Sequence, residues 1–231
     1  MTSLRTVVQD CLGKGEAGET ISVREDVLGV YGDDNPQARS VVERLDRIQT
    51  QPFIRIALVT VRPTGSPADQ NANLQRDIDS ANIVYQNECG VWVYPVGSRV
   101  ISTDFLGDLV QLDQDDCLAS GHSVSDEEDA LFDLGRDMGA EIVGYYINSD
   151  MAGFRGCAAH PKNRLGFWVG SSATRWTLIH ELTHIVGRNG HRKNDTKNLM
   201  FTNTGAIQDL PPDLTDKQCE RIHDDKHMES C

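Results

Sequence analysis

Two histidines four residues apart, with a glutamate directly after the first, have the clearest chemical meaning in this chain. They are His180, Glu181 and His184. On a helix, residues i and i+4 lie on one face, so both imidazoles can reach a single metal ion. Zinc lowers the pKa of a coordinated water molecule to about 7, and Glu181 is placed to accept a proton from that water. The spacing therefore predicts a hydrolytic zinc site.

A catalytic zinc site needs a third protein ligand and keeps a fourth position open. His191 is the leading candidate, since Gly187 ends the predicted helix and permits a sharp turn. Asp195 is the nearest alternative, and Glu220 and His223 are more distant ones. The three remaining histidines are expected to be ordinary surface residues: His122, His160 and His227.

The region around these histidines resembles the metzincins, a clan of zinc endopeptidases that includes matrixins, astacins and adamalysins. Their motif is H-E-x-x-H-x-x-G-x-x-H, and four of its positions are matched in register, by His180, Glu181, His184 and Gly187. The last position departs, because Gly190 stands where the third histidine is expected and His191 follows one residue later. We interpret this as a one-residue insertion in the turn at 188–190, where Gly190 can adopt a positive φ.

A methionine downstream extends the resemblance. Asn198-Leu-Met200 resembles the methionine turn that lies beneath the metal in this clan, although Met200 could also be only a core residue. Thr202 occupies the position at which some members have a tyrosine, so assistance by a tyrosine is not expected. Leu214-Thr-Asp-Lys-Gln218 is similar to the corresponding segment of bacterial matrixin-like peptidases.

The resemblance implies a zinc-dependent endopeptidase with Glu181 as general base and acid. It also implies an extended peptide or protein substrate that binds along an edge strand, within about 153–170. Two other functions stay open. A metal-binding module of the same fold would lack peptidase activity, but such a module has no need of Glu181. A toxin or effector protease delivered into another cell is the other alternative, and free thiols would favour it.

Strands alternate with helices along the middle of the chain. Strands are predicted at 53–61, 91–96, 142–147 and 165–169, and helices at 36–49, 71–87, after Ser125, at 173–186 and at 214–222. Ser171 or Ser172 is the expected N-cap of the helix that carries the histidines, and Thr215 that of the last helix. This alternation is typical of a layered arrangement with a mainly parallel sheet.

The elements and the resemblance together predict an α+β, zincin-like (metzincin) fold. A twisted, mainly parallel sheet and helices would lie above the active-site cleft, and a short C-terminal subdomain below it. Residues 1–50 are an N-terminal extension or a pro-segment in this prediction. Residues 51–187 form the upper catalytic subdomain ending in the zinc helix, and residues 188–231 form the lower subdomain with the methionine turn and the C-terminal helix.

Composition excludes several classes of partner. A net charge of −13 repels nucleic acid and anionic lipid, so neither is expected, and no apolar run reaches the roughly 20 residues that cross a bilayer. We expect a monomer. The six cysteines contain no C-x-x-C pair and are widely spaced, which favours disulfides and a secreted protein. Residues 1–10 contain no secretory signal, so a cytosolic or delivered protein stays an alternative. The acidic segment 113–116 lacks the spacing of a calcium loop, so calcium is unsupported.

Overall fold

The computed structural model describes residues 51–62, 70–102, 124–147, 155–207 and 211–230. Nearly all of them belong to a compact unit that spans Ile54–Met228. The expectations for the helix at 36–49, for the acidic segment 113–116 and for His122 lie outside the described residues. The division into segments 1–50, 51–187 and 188–231 stays a prediction.

Six strands and four α-helices make up the described part of the chain. In order they are β1 (Phe53–Arg62), α1 (Gln70–Cys89), β2 (Trp92–Ser102), α2 (Asp126–Asp133), β3 (Ile142–Ile147), β4 (Gly156–Cys157), β5 (Leu165–Val169), α3 (Thr177–Ile185), α4 (Asp216–His223) and β6 (Met228–Glu229). Short 3₁₀ turns follow α3 at Val186–Arg188 and precede α4 at Thr204–Ala206. None of the described helices is long and apolar enough to span a membrane.

The strands form one sheet in the order β2-β1-β3-β5-β4, and β6 pairs with β1. Both β1 and β5 run parallel to β3, with Ile56 opposite Ile142 and Gly144 opposite Phe167. The short β4 runs antiparallel to β5 and ends this strand order. The predicted α+β fold is therefore confirmed as a mixed arrangement of helices and strands with a mainly parallel sheet.

Alternating residues of β1 enter two apolar clusters on opposite faces of the sheet, because successive side chains of a strand point to opposite sides. Ile54, Ile56 and Leu58 join the larger cluster, which also contains apolar residues of α1, α3 and α4. Ala57, Val59 and Val61 join the smaller cluster, to which α2 contributes Leu131 and Phe132. The helix carrying the histidines thus lies on the same face as α1 and α4, and α2 covers the other face.

Most predicted boundaries fall within two residues of the observed ones. Ser125 caps α2 as expected, because its side chain accepts a hydrogen bond from Glu128 N. Thr215 caps α4 in a capping box with Gln218. The predicted start of α3 is wrong: Ser171 and Ser172 do not cap it, and its N-cap is Trp176, which makes no side-chain capping bond.

The late start of α3 has a local cause. The Thr174 N–H donates to Thr177 Oγ1 over 3.0 Å, and the Trp176 N–H donates to Thr174 Oγ1 over 3.3 Å. Threonine hydroxyls compete with helical hydrogen bonds in this way. Residues 175–176 therefore form a turn, and the regular helix begins at Thr177.

Candidate metal centre

Apolar packing and a buried hydrogen bond fix the position of helix α3. Leu178, Ile179, Leu182 and Ile185 are buried in the larger apolar cluster. Thr183, within the motif, bonds the carbonyl of Ile179 over 2.6 Å and shares a 2.9 Å hydrogen bond with the Tyr85 hydroxyl of α1. Both hydroxyls are buried, so the contact fixes α3 against α1 and with it the direction of the two histidines.

The chain turns sharply after α3, as the sequence predicted at Gly187. This glycine has φ 73° and ψ 0°, and Arg188 follows with φ 48°. The expectation that Gly190 supplies the positive φ is wrong, because Gly190 is not among the residues with positive φ. The turn is made earlier, directly at the helix end.

Two contacts from the C-terminal segment stabilise this turn. The Gly187 N–H donates to Asp225 Oδ2 over 3.1 Å. A Cβ on Gly187 would lie 2.8 Å from the Arg221 carbonyl carbon and 2.9 Å from Ile222 N, so α4 approaches this glycine closely. Gly187 is thus required both for its backbone conformation and for space.

Three imidazoles converge beyond the turn. The Nε2 atoms of His180 and His184 lie 3.2 Å apart, and His191 Nε2 lies 3.3 Å from the first and 3.1 Å from the second. Tetrahedral zinc with Zn–N bonds of about 2.05 Å holds its nitrogen ligands about 3.3 Å apart. The spacing of the three nitrogens therefore fits one such ion, and these residues could hold a metal.

The second nitrogen of two imidazoles settles which ring atom faces the cluster. His180 Nδ1 lies 2.7 Å from the Leu199 carbonyl oxygen, and His184 Nδ1 lies 2.6 Å from that of Asn189. A carbonyl only accepts, so both Nδ1 atoms carry the proton and both Nε2 atoms present a lone pair. Converging lone pairs repel each other unless a cation lies between them, and such backbone partners are usual for metal-binding histidines.

Burial keeps the cluster uncharged. It lowers the pKa of His180 to about 3, with a further contribution from the charge of His184. Burial likewise lowers the pKa of His184 to about 4, followed by the effect of His191. Partial burial and then the charge of Lys193 lower the pKa of His191. Neutral imidazole is the form that binds metal, so the site is ready for an ion at neutral pH.

Glu181 is buried beside the edge of the sheet. A Cβ on Gly156 of β4 would lie 2.9 Å from Glu181 Oε1, so the carboxyl group reaches the edge strand at a point where only glycine leaves room. Burial raises the pKa of Glu181 to about 8. A carboxyl group with a pKa near neutrality is suited to accept and release a proton.

Met200 lies in the buried segment that supports His180. Leu199 and Met200 are both buried in the larger cluster, and the Arg192 N–H, next to His191, donates to the Met200 carbonyl over 2.7 Å. The segment thus contacts the histidine cluster from two sides. The packing of Met200 fits a methionine turn and also fits an ordinary core residue.

The alternative ligands lie elsewhere. Within the described residues the metal-competent group consists of the three histidines alone. Asp195 Oδ2 lies 3.8 Å from Arg192 Nε, and His223 Nε2 lies 2.8 Å from the Cys89 carbonyl oxygen. Glu220 is exposed on α4.

Two of the expected surface histidines fall in the described part of the chain. His160 is half-buried, with Nδ1 2.9 Å from the Pro161 carbonyl. His227 contradicts the expectation, since its side chain is only 8% exposed and bonds Asp225 Oδ1 over 2.6 Å. The sequence did not indicate this, because one of its neighbours, Glu141, whose Oε2 lies 3.4 Å from His227 Nε2, is distant along the chain.

The cysteines bear out the expected disulfides as far as the structure describes them. Cys89 and Cys219 are bonded, which joins the end of α1 to α4 across 130 residues of sequence. Cys157 is also disulfide-bonded.

Comparison with known proteins bears on the fold. No protein-family model and no curated protein sequence matches the chain. Metalloproteinase-II from Bacteroides fragilis is similar at 15% identity and a TM-score of 0.50, over 74% of this chain and 52% of that one. Archaemetzincin from Methanopyrus kandleri is similar at 15% identity and a TM-score of 0.43, over 74% and 94%. A chain of a chaperone–substrate complex is similar at 12% identity and a TM-score of 0.49, over 75% and 33%.

These matches cover different shares of the other proteins. The chain spans about half the length of metalloproteinase-II and about a third of the chain from the chaperone–substrate complex. At 15% identity, the similarity to metalloproteinase-II shows the fold alone. Any activity has to be argued from the chemistry of the site. The chain therefore has a mixed α/β fold with a mainly parallel sheet, similar to that of a zincin-like metallopeptidase, and it carries three histidines that could hold a metal ion.

Proposed function

We propose that this chain is a zinc-dependent endopeptidase whose metal is held by His180, His184 and His191. The observation that carries the proposal is the set of three Nε2 atoms 3.1–3.3 Å apart, with Glu181 directly after the first ligand. A metal centre of three histidines leaves a fourth position for substrate or water, as catalytic zinc sites do.

The chemistry divides between the metal and the protein. When bound, zinc would act as a Lewis acid toward the scissile carbonyl and generate the attacking nucleophile from water. Glu181 accepts the released proton and passes it to the leaving amine. Burial raises the pKa of this carboxyl group, and a cation held by the neighbouring imidazoles would favour its ionised form.

An extended peptide or protein is the proposed substrate. The strand β4 ends the strand order and approaches Glu181 at Gly156, so a peptide aligned with β4 would bring its backbone to the proposed base. The matrixin-like motifs support a place in the metzincin clan. The Cys89–Cys219 disulfide supports export, because such bonds persist in oxidising compartments. We further propose that the enzyme acts as a monomer, without nucleic acid or membrane partners.

The test compares zinc content and casein cleavage in the wild type, in Glu181→Gln and in Glu128→Gln. Glu128 is a matched control because it is also a buried glutamate, but it bonds Trp168 Nε1 on the other face of the sheet. We expect stoichiometric zinc in all three proteins. We expect cleavage in the wild type and in Glu128→Gln, and a rate lower by about 10²–10⁴-fold in Glu181→Gln.

The other outcomes discriminate between functions. Zinc bound with no cleavage of casein or a peptide library by the wild type would favour a metal-binding module of the same fold. A well-folded wild type that takes up no zinc would overturn the proposal. Equal cleavage by the wild type and Glu181→Gln would remove Glu181 from the mechanism.

A further inference from the structure

Two buried side-chain amides pair with each other beneath the histidine cluster. Asn198 is 1% exposed and Gln218 is 5% exposed. Asn198 Nδ2 donates to Gln218 Oε1 over 3.0 Å, and Gln218 Nε2 donates to Asn198 Oδ1 over 3.1 Å. Buried amides are costly unless their donors and acceptors are satisfied, so these two reciprocal hydrogen bonds fix both side chains.

Each amide also holds a backbone segment. Gln218 Oε1 accepts from the Thr215 N–H over 2.8 Å, at the start of α4. Asn198 Oδ1 accepts from the Met200 N–H over 3.0 Å. The pair therefore connects the first turn of α4 to the segment Leu199–Met200.

The Met200 N–H belongs to the same peptide unit as the Leu199 carbonyl. A peptide unit is planar, so the direction of its N–H sets the direction of its C=O. The Leu199 oxygen accepts the hydrogen bond from His180 Nδ1 over 2.7 Å. The Asn198 amide thus fixes the direction of the Leu199 carbonyl, and this carbonyl in turn orients the His180 ring.

A second set of bonds holds the same segment at another point. The Leu199 N–H donates to the Asp213 carbonyl, and the Asp213 N–H donates to the Lys197 carbonyl, both over 2.9 Å. These bonds fix the two preceding peptide units, Asn198–Leu199 and Lys197–Asn198. The rotation of the Leu199–Met200 unit is left to the Asn198 amide and to His180 itself.

We propose that Asn198 and Gln218 are positioning residues for the metal site, which set the tautomer and ring orientation of His180 through the Leu199–Met200 peptide unit. The proposal rests on the metal ligation in the proposed function and does not depend on peptidase activity. Groups that orient a metal-binding histidine typically change metal affinity by about 10–100-fold.

The test compares Gln218→Met with Thr215→Val. Gln218→Met keeps the length of the side chain but removes the partner of Asn198. Thr215→Val removes the N-capping hydroxyl of the same helix, which accepts from Gln218 N over 3.3 Å and donates to Gln218 Oε1 over 3.0 Å. It keeps both hydrogen bonds between Asn198 and Gln218. Both substitutions remove hydrogen bonds at the start of α4. A difference between the two variants in zinc binding therefore reports on the amide pair.

Two readouts are needed. Zinc affinity is measured by competition with a chromophoric chelator. The His180 ring N–H is followed by NMR in the metal-free protein, where its solvent exchange reports the bond to Leu199 without any metal. We expect Gln218→Met to lose about tenfold in zinc affinity and to exchange this proton faster. We expect Thr215→Val to match the wild type in both.

The proposal is overturned if folded Gln218→Met keeps the wild-type affinity and exchange rate, or if Thr215→Val shows the same losses. If Gln218→Met does not fold, Gln218→Glu takes its place. It retains the acceptor for Thr215 N and lacks the N–H that bonds Asn198, so the same two outcomes apply. A wild type that binds zinc without cleaving peptides would contradict the proposed function and leave this inference intact.

Discussion

Proton placement on individual imidazoles decides what the histidine cluster can bind. Leu199 and Asn189 each offer a carbonyl to an Nδ1 atom, so His180 and His184 direct lone pairs at the same point as His191. Burial lowers the pKa values of all three rings, which keeps them neutral. The site is therefore arranged for a cation before one arrives.

His191, rather than His223, should be the third metal ligand. His191→Ala removes one of three converging nitrogens, and we expect it to lose stoichiometric zinc after dialysis. His223→Ala is the control, because His223 was an alternative ligand and its Nε2 lies at the Cys89 carbonyl. Metal analysis of both proteins checks the prediction. Retention of zinc by His191→Ala together with its loss from His223→Ala would reverse the assignment.

Asp225 should stabilise the turn at Gly187 in a pH-dependent way. Burial alone would raise the pKa of Asp225, but hydrogen bonds from the His227 and Gly187 backbone N–H groups and from the His227 ring lower it on balance. A lowered folded-state pKa contributes stability above the unfolded value of 3.8, and this stability is lost as the pH falls through the folded-state pKa.

We therefore expect Asp225→Asn to lower the free energy of unfolding at pH 7 by about 1–3 kcal/mol. The difference from wild type should shrink as the pH falls below about 4. Urea unfolding across this pH range is the measurement, with Asp224→Asn as a control on the exposed neighbour. A deficit that is constant with pH would show that the charge of Asp225 has no part in it.

Among the elements, the junction between α3 and α4 determines the path to the third histidine. Gly187 leaves the helix in the left-handed region, and the backbone of α4 at Arg221 and Ile222 lies against it. Gly187 therefore meets two requirements, a left-handed backbone conformation and space for the backbone of α4. They can be measured separately, because Gly139 has nearly the same φ, 74°, and a Cβ placed there would meet no heavy atom within 4 Å.

Gly187→Ala should therefore destabilise the fold more than Gly139→Ala. A left-handed conformation costs an alanine about 1–2 kcal/mol, which is the full effect expected at Gly139. At Gly187 the contact with α4 adds to it, for a total of roughly 2–4 kcal/mol. Chemical denaturation of both variants gives the comparison. Equal losses would mean that α4 shifts without cost.

Across the whole molecule, one disulfide ties the support of the metal site to the rest of the fold. Cys89 ends α1, which packs against α3, and Cys219 lies on α4 next to Gln218. The bond links residues 130 positions apart. Cross-links over long separations restrict the unfolded chain most strongly, although strain can reduce the gain.

Replacing both cysteines, as Cys89→Ser/Cys219→Ser, should lower the free energy of unfolding by about 2–5 kcal/mol. Thermal unfolding of the double variant and of the wild type, each without reductant, checks this. The double variant isolates this bond, whereas reductant would also open the bond of Cys157. Equal unfolding temperatures for the two proteins would rule out a stabilising role.

Sequence periodicity was sufficient for most elements of the fold. β3 and β5 were placed residue for residue, and α4 was capped at the predicted threonine. Local hydrogen bonds of Thr174 and Thr177 shortened α3. The two-residue β4 was not predicted as a separate strand, since it is too short to show an alternating pattern.

The sequence by itself determined which metal-binding groups α3 carries and where that helix ends. The i, i+4 spacing of His180 and His184 follows from helical geometry, and a glycine three residues later marks the helix end. Both are local properties, which residue type and spacing can encode. His191 could be proposed as third ligand on the same grounds, but only alongside other candidates.

Tertiary structure alone decided which groups meet. The bond from His180 to the Leu199 carbonyl, the Asn198–Gln218 pair and the bond from Gly187 to Asp225 join residues separated by 19 to 38 positions. No spacing rule relates such residues, because their proximity depends on how α3, α4 and the segment between them pack. The same packing brings the three Nε2 atoms to 3.1–3.3 Å, the distance that a single metal ion requires.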